Sequence, residues 1–553
     1  MRSIATLRRL RRPFEAGLWS PAKEGGELAS LRSTSVNLAL CLASGVLLAL
    51  AYPRAGIWPL AWVALVPWLA VVFTASWPAA LAGSWLAGFA FLAAHMYWIA
   101  IFGYLPWALV ALLEGLAFVL TALVARIAAP RSGWRVLAAG LAWVTWEFAR
   151  GQGRFGVPWG QVGHSQAPFT ALAQLAAFGG VPAISFVVVL TNGAIAHAIV
   201  ARREPRRAYL PLVCAAALAL AAAALGMAHA REANRPTAPD ARVPVRVAVA
   251  QASVKTWLTV EALNMPLTAD QQRDELAAYS RLTRRAAARG ARVVIWPESA
   301  VPGSLSDGPG REALTSLARD LDLWLVAGGP AYRFDTGDPP GVFEYNSVEA
   351  ISPAGQTVGN YDKVHLVPFG EYVPWRERLP LLRYYRVRDT DVSPGSEFRL
   401  LRANGLSLGP MICFESVFPY IARREARLGA DALLVVTNDA WFLRTAAAAQ
   451  HLQIDRFRAI EEGLPIARAA STGISAFIDP LGRVTQSLGL MKRGVLIAEI
   501  RPRRADTLYR RIGPAFSLVC VAASALWLLG AVLTRLLRRR AARVIQADRP
   551  AIK

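Results

Sequence analysis

The chain has 553 residues, of which 54% are hydrophobic and only 18% are charged. Soluble globular chains average about 45 to 50% apolar and about a quarter charged residues, so this composition excludes a disordered chain and favours a membrane protein. The formal net charge is +23, from 61 Lys and Arg against 38 Asp and Glu. Many of these cations lie beside long apolar runs, so membrane topology explains the excess better than a nucleic-acid partner, and we expect none.

The first part of the chain, residues 36–230, is predicted to form a bundle of transmembrane helices. Between Val36 and Ala125 only Arg54 and Glu114 are charged. A helix needs about 20 apolar residues to cross the hydrocarbon core of a bilayer. Seven runs are predicted to do so, near residues 36–52, 57–74, 78–101, 104–126, 134–150, 169–200 and 209–229, and an eighth lies at 514–536.

Positive charge predicts the orientation of these spans, because it is enriched on the cytoplasmic side. Arginines cluster at positions 8–12, 126–135, 202–207 and 538–540. This pattern predicts two cytoplasmic termini and an outer segment between the seventh and eighth spans, in the periplasm of an inner-membrane protein. The predicted parts are a cytoplasmic basic segment (1–35), the bundle (36–230), a periplasmic domain (242–508), the eighth helix (514–536) and a cytoplasmic basic tail (537–553). A cleaved signal peptide is the alternative at the N-terminus, but further apolar runs follow at once.

The outer segment is predicted to be an α/β domain. Short runs rich in Val, Ile and Leu end in polar residues, Gly or Pro, which is typical of buried strands. They lie at 245–250, 293–296, 323–327, 408–412, 433–437 and 495–500. Helical patterns lie between several of them, at 270–289, 310–321, 418–428 and 446–462. Alternating strands and helices of this kind indicate an α/β fold.

Cys413 is the one cysteine outside the predicted membrane spans, and it directly follows the strand at 408–412. Ligands bind at the carboxyl ends of strands in α/β domains, and a helix N-terminus there would lower the pKa of the thiol toward the reactive thiolate. Taken alone, the residue is still better explained as a buried, inert cysteine. The others are expected to be small buried hydrophobes in the membrane: Cys41, Cys214 and Cys520.

Two further residues suit acid–base chemistry. Glu298 closely follows the apolar run 293–296, where a partly desolvated carboxylate suits a general base, although a helix cap or a surface carboxylate is the alternative. Lys363 lies in the run 360–374, which is dense in Pro, Gly and aromatic residues. A cation fixed there could stabilise an oxyanion, although a solvated loop lysine is the ordinary explanation.

Together, Glu298, Lys363 and Cys413 resemble the Glu, Lys and Cys that the nitrilase superfamily uses in that chain order on an α-β-β-α sandwich. About eight membrane spans that bracket such a domain are similar to the apolipoprotein N-acyltransferases. The motifs of this resemblance lie at 146–151, 155–159, 363–374 and 437–442. The family commonly has Gly after Trp441 and Phe442, where this chain has Leu443, and Trp257 is offset from the Trp that usually follows the first strand.

The resemblance implies acyl transfer in two covalent steps. Cys413 would take an acyl chain from the sn-1 ester of a phospholipid, usually phosphatidylethanolamine, and pass it to the N-terminal amine of a diacylglyceryl apolipoprotein. Glu298 would be the general base, and Lys363 would stabilise the oxyanion. Supporting residues are expected beside them: Glu371, Phe414 and Glu415.

Apolar residues near the site are expected to line an acyl entry groove, although they could equally be core. They are Trp375, Leu379, Leu381, Leu382, Trp441 and Phe442. Water would compete with the acceptor amine, so a lid is expected from the loop after Trp441 or from residues 376–389. We expect a monomer in the lipid bilayer with no cofactor and no metal, because His365 and His451 are isolated in the sequence.

Two other functions stay open at this point. A membrane-tethered amidase would use the same three residues with water as the acceptor, but one helix would suffice as its tether. A transporter with an outer binding domain is the second alternative. Intramembrane charges are too few to mark an obvious solute path.

Overall fold

The computed structural model describes residues 26–128, 133–202, 204–234, 243–253, 267–335, 341–376, 378, 380, 391–502 and 506–547. Several features predicted from the sequence lie outside these residues. They are the first 25 residues of the basic N-terminal segment, Trp257, Leu379, Leu381, Leu382, most of the 376–389 loop and the last residues of the basic tail.

The membrane part begins with helices that are broken by short 3-10 turns. The helices are α1 (Gly26–Leu50), α2 (Val66–Thr74), α3 (Trp77–His95), α4 (Tyr104–Glu114), α5 (Leu116–Ala128), α6 (Trp134–Ala149), α7 (Thr170–Ala173), α8 (Ala176–Gly179), α9 (Val181–Val200) and α10 (Pro205–Ala233). The 3-10 turns are Trp58–Trp62, Tyr97–Phe102 and Val162–Gln166.

The outer domain and the C-terminal helices follow. Their elements are β1 (Val245–Gln251), α11 (Ala269–Ala288), β2 (Val293–Ile295), α12 (Gly308–Leu321), β3 (Trp324–Asp335), β4 (Gly341–Ile351), β5 (Thr357–Asp362), β6 (Leu401–Ala403), β7 (Leu406–Ile412), α13 (Pro419–Arg427), β8 (Ala432–Thr437), α14 (Ala447–Glu462), β9 (Ile466–Ala470), β10 (Ser475–Ile478), β11 (Val484–Leu488), β12 (Gly494–Ile500), α15 (Leu508–Ile512) and α16 (Ala515–Ala547).

By length and composition, six segments of the described chain could cross a membrane. They are Ser33–Leu50, Trp77–His95, Tyr104–Ile127, Val181–Val200, Ala208–Ala233 and Ala515–Ala541. The other two predicted spans are shorter. The segment at 57–74 is a 3-10 turn followed by the nine-residue α2, and α6 has 16 residues, about 24 Å of helix against a hydrocarbon core of about 30 Å. Five of these six segments precede the outer domain, where seven spans were predicted.

Glycines allow the membrane helices to cross closely. A Cβ built on Gly88 of α3 would lie 2.5 Å from the carbonyl oxygen of Gly115, between α4 and α5. Gly45 of α1 similarly lies against the backbone at Ala87 of α3. Small residues at such crossings let helix backbones pack directly in lipid, where no hydrophobic force draws helices together.

The outer domain contains two six-stranded sheets, in the strand orders β12-β1-β2-β3-β4-β5 and β11-β10-β9-β8-β7-β6. In each sheet the three central strands are parallel and the outer strands are antiparallel. The inner faces share a core that includes Val249, Ile295, Leu408 and Val436. Helices α11 and α12 cover the first sheet and α13 and α14 cover the second, which gives the predicted α-β-β-α sandwich.

The layer of α13 and α14 lies between the second sheet and the membrane bundle. A single hydrophobic cluster contains Val435 of β8, Phe457 of α14, and Trp159 and Leu172 of the membrane part. Polar contacts join the same surfaces, because Trp159 Nε1 donates to Gln450 Oε1 of α14 at 2.8 Å. The outer domain is therefore packed directly onto the bundle.

Candidate functional site

The three residues of the predicted triad lie together beyond the carboxyl ends of β2, β5 and β7. Lys363 Nζ lies 3.6 Å from Glu298 Oε1. The charges of both residues act on the Cys413 thiol, Glu298 raising and Lys363 lowering its pKa. The topology thus gathers a carboxylate, a cation and a thiol from three distant parts of the chain.

Lys363 is fully buried between two carboxylates. Its Nζ donates to Glu371 Oε1 at 2.9 Å, and Glu371 also accepts from the Val367 N–H at 2.8 Å. Burial lowers the pKa of Lys363, but Glu371 and Glu298 outweigh it and raise that pKa above its ordinary value. Burial raises the pKa of Glu371, and Lys363 reverses this, so the Glu371 pKa is lowered. The pair therefore stays charged.

Glu298 is buried and held by donors on both oxygens. Asn346 Nδ2 of β4 donates to its Oε1 at 2.7 Å, and the Asn438 N–H donates to its Oε2 at 2.6 Å. Asn346 Nδ2 also donates to Glu371 Oε1 at 3.0 Å, so one amide bridges the two carboxylates. Gly328 of β3 makes room for this segment, because a Cβ there would lie 2.8 Å from the Glu298 Cα.

Cys413 ends β7 on a sharp turn. Its φ is +54°, a left-handed value that non-glycine residues rarely adopt and that often marks functional sites. The residue as a whole is partly buried. The prediction of a lowered thiol pKa is wrong: burial, then Glu298, raises it. The reason is local, because a 3-10 turn (Cys413–Val417) follows Cys413, and the next helix begins only at Pro419.

Glu415 ties the turn of Cys413 to the segment that bears Lys363. Its Oε2 accepts from the Ile412 N–H at 2.7 Å, and its Oε1 accepts from the N–H groups of Val364 and His365 at 2.7 and 3.0 Å. The Tyr361 hydroxyl lies 3.0 Å from both oxygens. Burial raises the pKa of Glu415 to about 7. The buried carboxylate therefore bridges the two reactive segments.

A second buried polar network lies behind Cys413. Ser416 Oγ lies 2.8 Å from His451 Nε2, and His451 Nδ1 lies 3.1 Å from Asp439 Oδ1. Arg468 pairs with Asp439 at 2.5 Å and also with Asp455. Burial raises the pKa of Asp439, but Arg468 and His451 outweigh it, so the carboxyl group stays ionised. This network fixes the segment after β8 relative to the Cys413 turn.

Aromatic side chains of two outer-domain loops pack against aromatic residues of the membrane part. The centroid of the Phe442 ring lies 4.9 Å from that of Trp98 and 6.1 Å from that of Trp159. The corresponding distance from Trp441 to Phe102 is 5.8 Å.

The half-exposed Trp375 ring stacks on Phe155 at 5.0 Å. Phe414 packs edge-on against Phe418 at 5.1 Å.

Leu443, which departs from the resemblance, has a φ of +49° and a ψ of −134°, a conformation that glycine adopts without cost. The carbonyl oxygen of the next residue, Arg444, accepts a hydrogen bond from Arg54 of the membrane part. The loop thus adopts a backbone conformation typical of glycine, although a leucine occupies position 443.

Both histidines of the site region are engaged by protein partners. His365 Nδ1 lies 2.9 Å from the Tyr420 hydroxyl, and its ring packs on Phe418, while His451 belongs to the buried network. No group of three or more His, Cys, Asp or Glu side chains arranged to hold a metal occurs among the described residues.

Comparisons with known proteins identify the family. Residues 44–194 match the model of the apolipoprotein N-acyltransferase N-terminal domain, and residues 246–510 match that of the carbon-nitrogen hydrolases. The apolipoprotein N-acyltransferase of Geobacter metallireducens is 34% identical over 505 residues, which cover 88% of this chain and 93% of that protein. That of Azotobacter vinelandii is 34% identical and covers 93% of this chain and 97% of its own length.

The chain belongs to the apolipoprotein N-acyltransferase family.

Solved structures of the nitrilase superfamily are also similar to this family member. An amidase of Nesterenkonia AN1 matches 49% of this chain and 95% of its own, with 22% identity and a TM-score of 0.36. The Nit3 protein of Saccharomyces cerevisiae matches 49% and 94%, with 19% identity and a TM-score of 0.36.

Sequence reasoning missed several residues around the site of this acyltransferase family member. Asn346 gave no signal, because β4 mixes polar and apolar residues and was not predicted as a strand. Tyr361 and Arg468 were also missed, since their partners lie far away in the sequence. Asn438 lies in the 437–442 motif, but nothing local assigned its N–H to Glu298.

Proposed function

We propose that Glu298, Lys363 and Cys413 are the catalytic residues of this family member, which transfers an acyl chain from a phospholipid to the N-terminal amine of an apolipoprotein. The observation that supports this most directly is the buried Lys363, held 3.6 Å from Glu298 beside a thiol that feels both charges. The relatives are named as apolipoprotein N-acyltransferases, which favours this reaction over the amidase and transporter alternatives.

In the first step, the Cys413 sulfur attacks the carbonyl carbon of the sn-1 ester of a phospholipid. Because burial keeps the thiol protonated, Glu298 accepts its proton as the C–S bond forms. Lys363, which stays charged, stabilises the tetrahedral oxyanion. The C–O bond then breaks, Glu298 returns the proton to the leaving alcohol, and a lysophospholipid leaves a thioester on Cys413.

In the second step, the free α-amine of the diacylglyceryl-cysteine attacks the thioester carbonyl. Glu298 accepts the proton of the amine, and Lys363 again stabilises the oxyanion. The C–S bond breaks, the sulfur regains a proton, and the acceptor leaves as an amide. Every group thus returns to its starting state without a cofactor.

Glu371 and Glu415 are proposed as positioning residues. Glu371 holds the Lys363 ammonium at 2.9 Å. Glu415 accepts from the backbone N–H groups of Ile412, before the nucleophile, and of Val364, after the lysine. Phe414 follows the nucleophile directly and packs on Phe418.

Both substrates are anchored in a membrane, so the chemistry has to occur at the bilayer surface. The outer domain lies directly on the bundle, and the rings of Trp375, Trp441 and Phe442 pack on membrane-part aromatics at this junction. We propose that these side chains border the path of the acyl chain. Leu379 and Leu382, which lie outside the described residues, remain candidates for the same path.

The proposed setting is the bacterial inner membrane, with the outer domain in the periplasm and both termini in the cytoplasm. Arg126, Arg135 and Arg535 bond to backbone carbonyls of Val72, Phe73 and Ile127, at the end of the bundle remote from the outer domain, which supports this orientation under the positive-inside rule. The proposed division of the chain is the one predicted from the sequence: a cytoplasmic basic segment (1–35), the membrane bundle (36–230), the periplasmic domain (242–508), the last membrane helix (514–536) and a cytoplasmic basic tail (537–553). The protein is proposed to act as a monomer.

The test is mass spectrometry of the purified full chain after incubation with phosphatidylethanolamine. An acyl mass is expected on the peptide that contains Cys413, together with one lysophospholipid per adduct. Cys413→Ala should abolish the adduct. The matched control is Cys214→Ala, which removes an exposed cysteine of the membrane part and should leave the adduct unchanged.

Addition of a synthetic diacylglyceryl-cysteine peptide should then remove the adduct and add the same acyl mass to the peptide amine. Hydrolysis of small amides without any lipid adduct would support the tethered amidase instead. An adduct that survives Cys413→Ala would overturn the assignment of the nucleophile.

A further inference from the structure

A cavity of about 370 Å³ lies at the end of the membrane bundle that is remote from the outer domain. Its lining includes the end of α2, the start of α3, the end of α5 and the start of α6. Two arginines, Arg126 and Arg135, contribute to this lining together with Phe73 and Trp77. None of these four residues has a role in the proposed reaction.

The position of the cavity follows from α3, which begins at Trp77 and ends at His95. The His95 carbonyl oxygen accepts from Gln450 of the outer domain at 3.1 Å. Nineteen helical residues separate the two ends, about 28 Å at about 1.5 Å per residue. The cavity is therefore at the opposite boundary of the membrane from the catalytic site.

The two guanidinium groups are fixed by backbone carbonyl oxygens and by a histidine ring nitrogen. Arg126 Nη1 donates to the carbonyl oxygens of Val72 and Ala75 at 2.8 and 2.9 Å, and its Cζ lies 4.5 Å from the centroid of the Trp77 ring. Arg135 donates to His197 Nδ1 at 3.2 Å and to the Phe73 carbonyl oxygen at 3.2 Å.

Neither arginine forms an ion pair in the part of the chain that the structure describes. Their like charges act on each other, and no carboxylate is among the described residues that line the cavity. Placing two buried or half-buried cations together without a counter-ion is unfavourable, so the site favours an anion. Among the described residues, the Nε and Nη2 groups of Arg126 have no hydrogen-bond partner, so both can donate to a bound anion.

We propose that this cavity binds the phosphate of an anionic phospholipid in the leaflet opposite the catalytic domain. Arginine forks match phosphate oxygens in geometry and charge, and basic pockets between membrane helices bind anionic head groups. The 41% exposed Trp77 lies at the level where aromatic residues meet lipid head groups. Exposed leucines of α5, such as Leu120 with 43% exposure, offer the acyl chains an apolar surface.

The net charge of the lipid distinguishes it from the proposed acyl donor. Phosphatidylethanolamine carries an ammonium group, which is repelled by two arginines that lack a carboxylate partner among the described residues. Phosphatidylglycerol carries a phosphate without a cation. The site therefore selects anionic over zwitterionic lipid. It is a binding site for a lipid that is not consumed.

The test measures lipid binding by native mass spectrometry of the full chain in a neutral detergent, with phosphatidylglycerol, phosphatidylethanolamine or inorganic phosphate added. One phosphatidylglycerol is expected to bind more tightly than the other two. Arg126→Gln should weaken this binding about fivefold, the effect of one basic residue on an anionic lipid. Arg126→Lys keeps the charge but loses the fork, so it should weaken binding by less than Arg126→Gln does. Arg538→Gln is the matched control, since it removes an exposed arginine from the same end of the bundle.

Equal loss in Arg126→Gln and Arg538→Gln would overturn the proposal, because binding would then be diffuse. Binding of inorganic phosphate as tight as that of the lipid would overturn the lipid assignment. A photoactivatable phosphatidylglycerol on the wild-type chain gives a readout that needs no variant. Its crosslinks are expected on peptides that contain Trp77 or Arg126, and crosslinks confined to other helices would also overturn the proposal.

Discussion

The exchange of Glu415 for glutamine tests whether this carboxylate positions the reacting groups. Each oxygen accepts hydrogen bonds from the backbone, Oε1 from Val364 and His365 and Oε2 from Ile412. In Glu415→Gln, an NH₂ group replaces one of the two oxygens and cannot accept the backbone hydrogen bonds made to that oxygen. Replacing Oε2 loses one backbone hydrogen bond and replacing Oε1 loses two, so we expect the NH₂ group to face the N–H of Ile412, the residue before the nucleophile.

The size of the effect follows from that contact. A buried N–H without an acceptor costs about 1–3 kcal/mol. We expect the backbone at Ile412 to shift and reduce this cost. The turn at Cys413 would shift with it, and its φ of +54° leaves few alternative conformations. If this cost appears in the transition state, kcat falls about 5- to 140-fold, at about 1.4 kcal/mol for each factor of ten.

The assay is the rate of acyl-enzyme formation from phosphatidylethanolamine, with kcat and KM determined separately at a temperature where circular dichroism shows both proteins folded. We expect kcat to fall and the KM for the lipid to stay within about twofold, since Glu415 is buried away from the lipid path. Glu397→Gln is the control, because that carboxylate is exposed in the same domain and pairs with the exposed Arg399. An unchanged kcat with a lowered melting temperature would show that Glu415 only stabilises the fold.

Three further changes have expected outcomes. Glu371→Gln leaves Lys363 without its closest partner, and loss of one member of a buried ion pair costs about 3–5 kcal/mol, so we expect a lower melting temperature and no measurable acyl-enzyme. Leu443→Gly should stabilise the protein by about 1 kcal/mol in a thermal unfolding assay, because the native φ is positive, and an equal gain in Leu443→Ala would contradict this reason. Burial raises the pKa of Glu425 to about 9 from 4.5, so the folded protein retains a proton that the unfolded chain releases. Stability should therefore fall as pH rises from 4.5 to 9, and Glu425→Gln should reduce that slope; a variant with the wild-type slope would refute the assignment.

The sequence predicted the elements whose pattern is unambiguous. Central strands such as β7 and β8 are buried on both faces and appear as continuous apolar runs. The edge strand β11 is mostly exposed and gave no such run, and β4 is half polar along its length. Two of the predicted spans, 57–74 and 134–150, contain shorter helices than the apolar runs indicate, and the first is divided into a 3-10 turn and α2.

The site was predictable where chemistry depends on residues next to strand ends. Glu298, Lys363 and Cys413 each follow such an end, and the family motifs surround them. The partners that hold them could not be found in this way. Asn346 reaches Glu298 from a neighbouring strand, and the pair of Asp439 and Arg468 forms only when β8 and β9 lie side by side.

The double-sided packing of α14 makes the two halves of this protein inseparable. One side of the helix completes the sandwich and the other completes the bundle: Gln450 bonds to Trp159 and His95 of the membrane part, and Phe457 belongs to a hydrophobic cluster that contains residues of both halves. An outer domain cut free from the rest would lose these partners and present a bare apolar surface to water. Unfolding should accordingly occur in one transition, and the soluble fragment should aggregate rather than survive as an independent module.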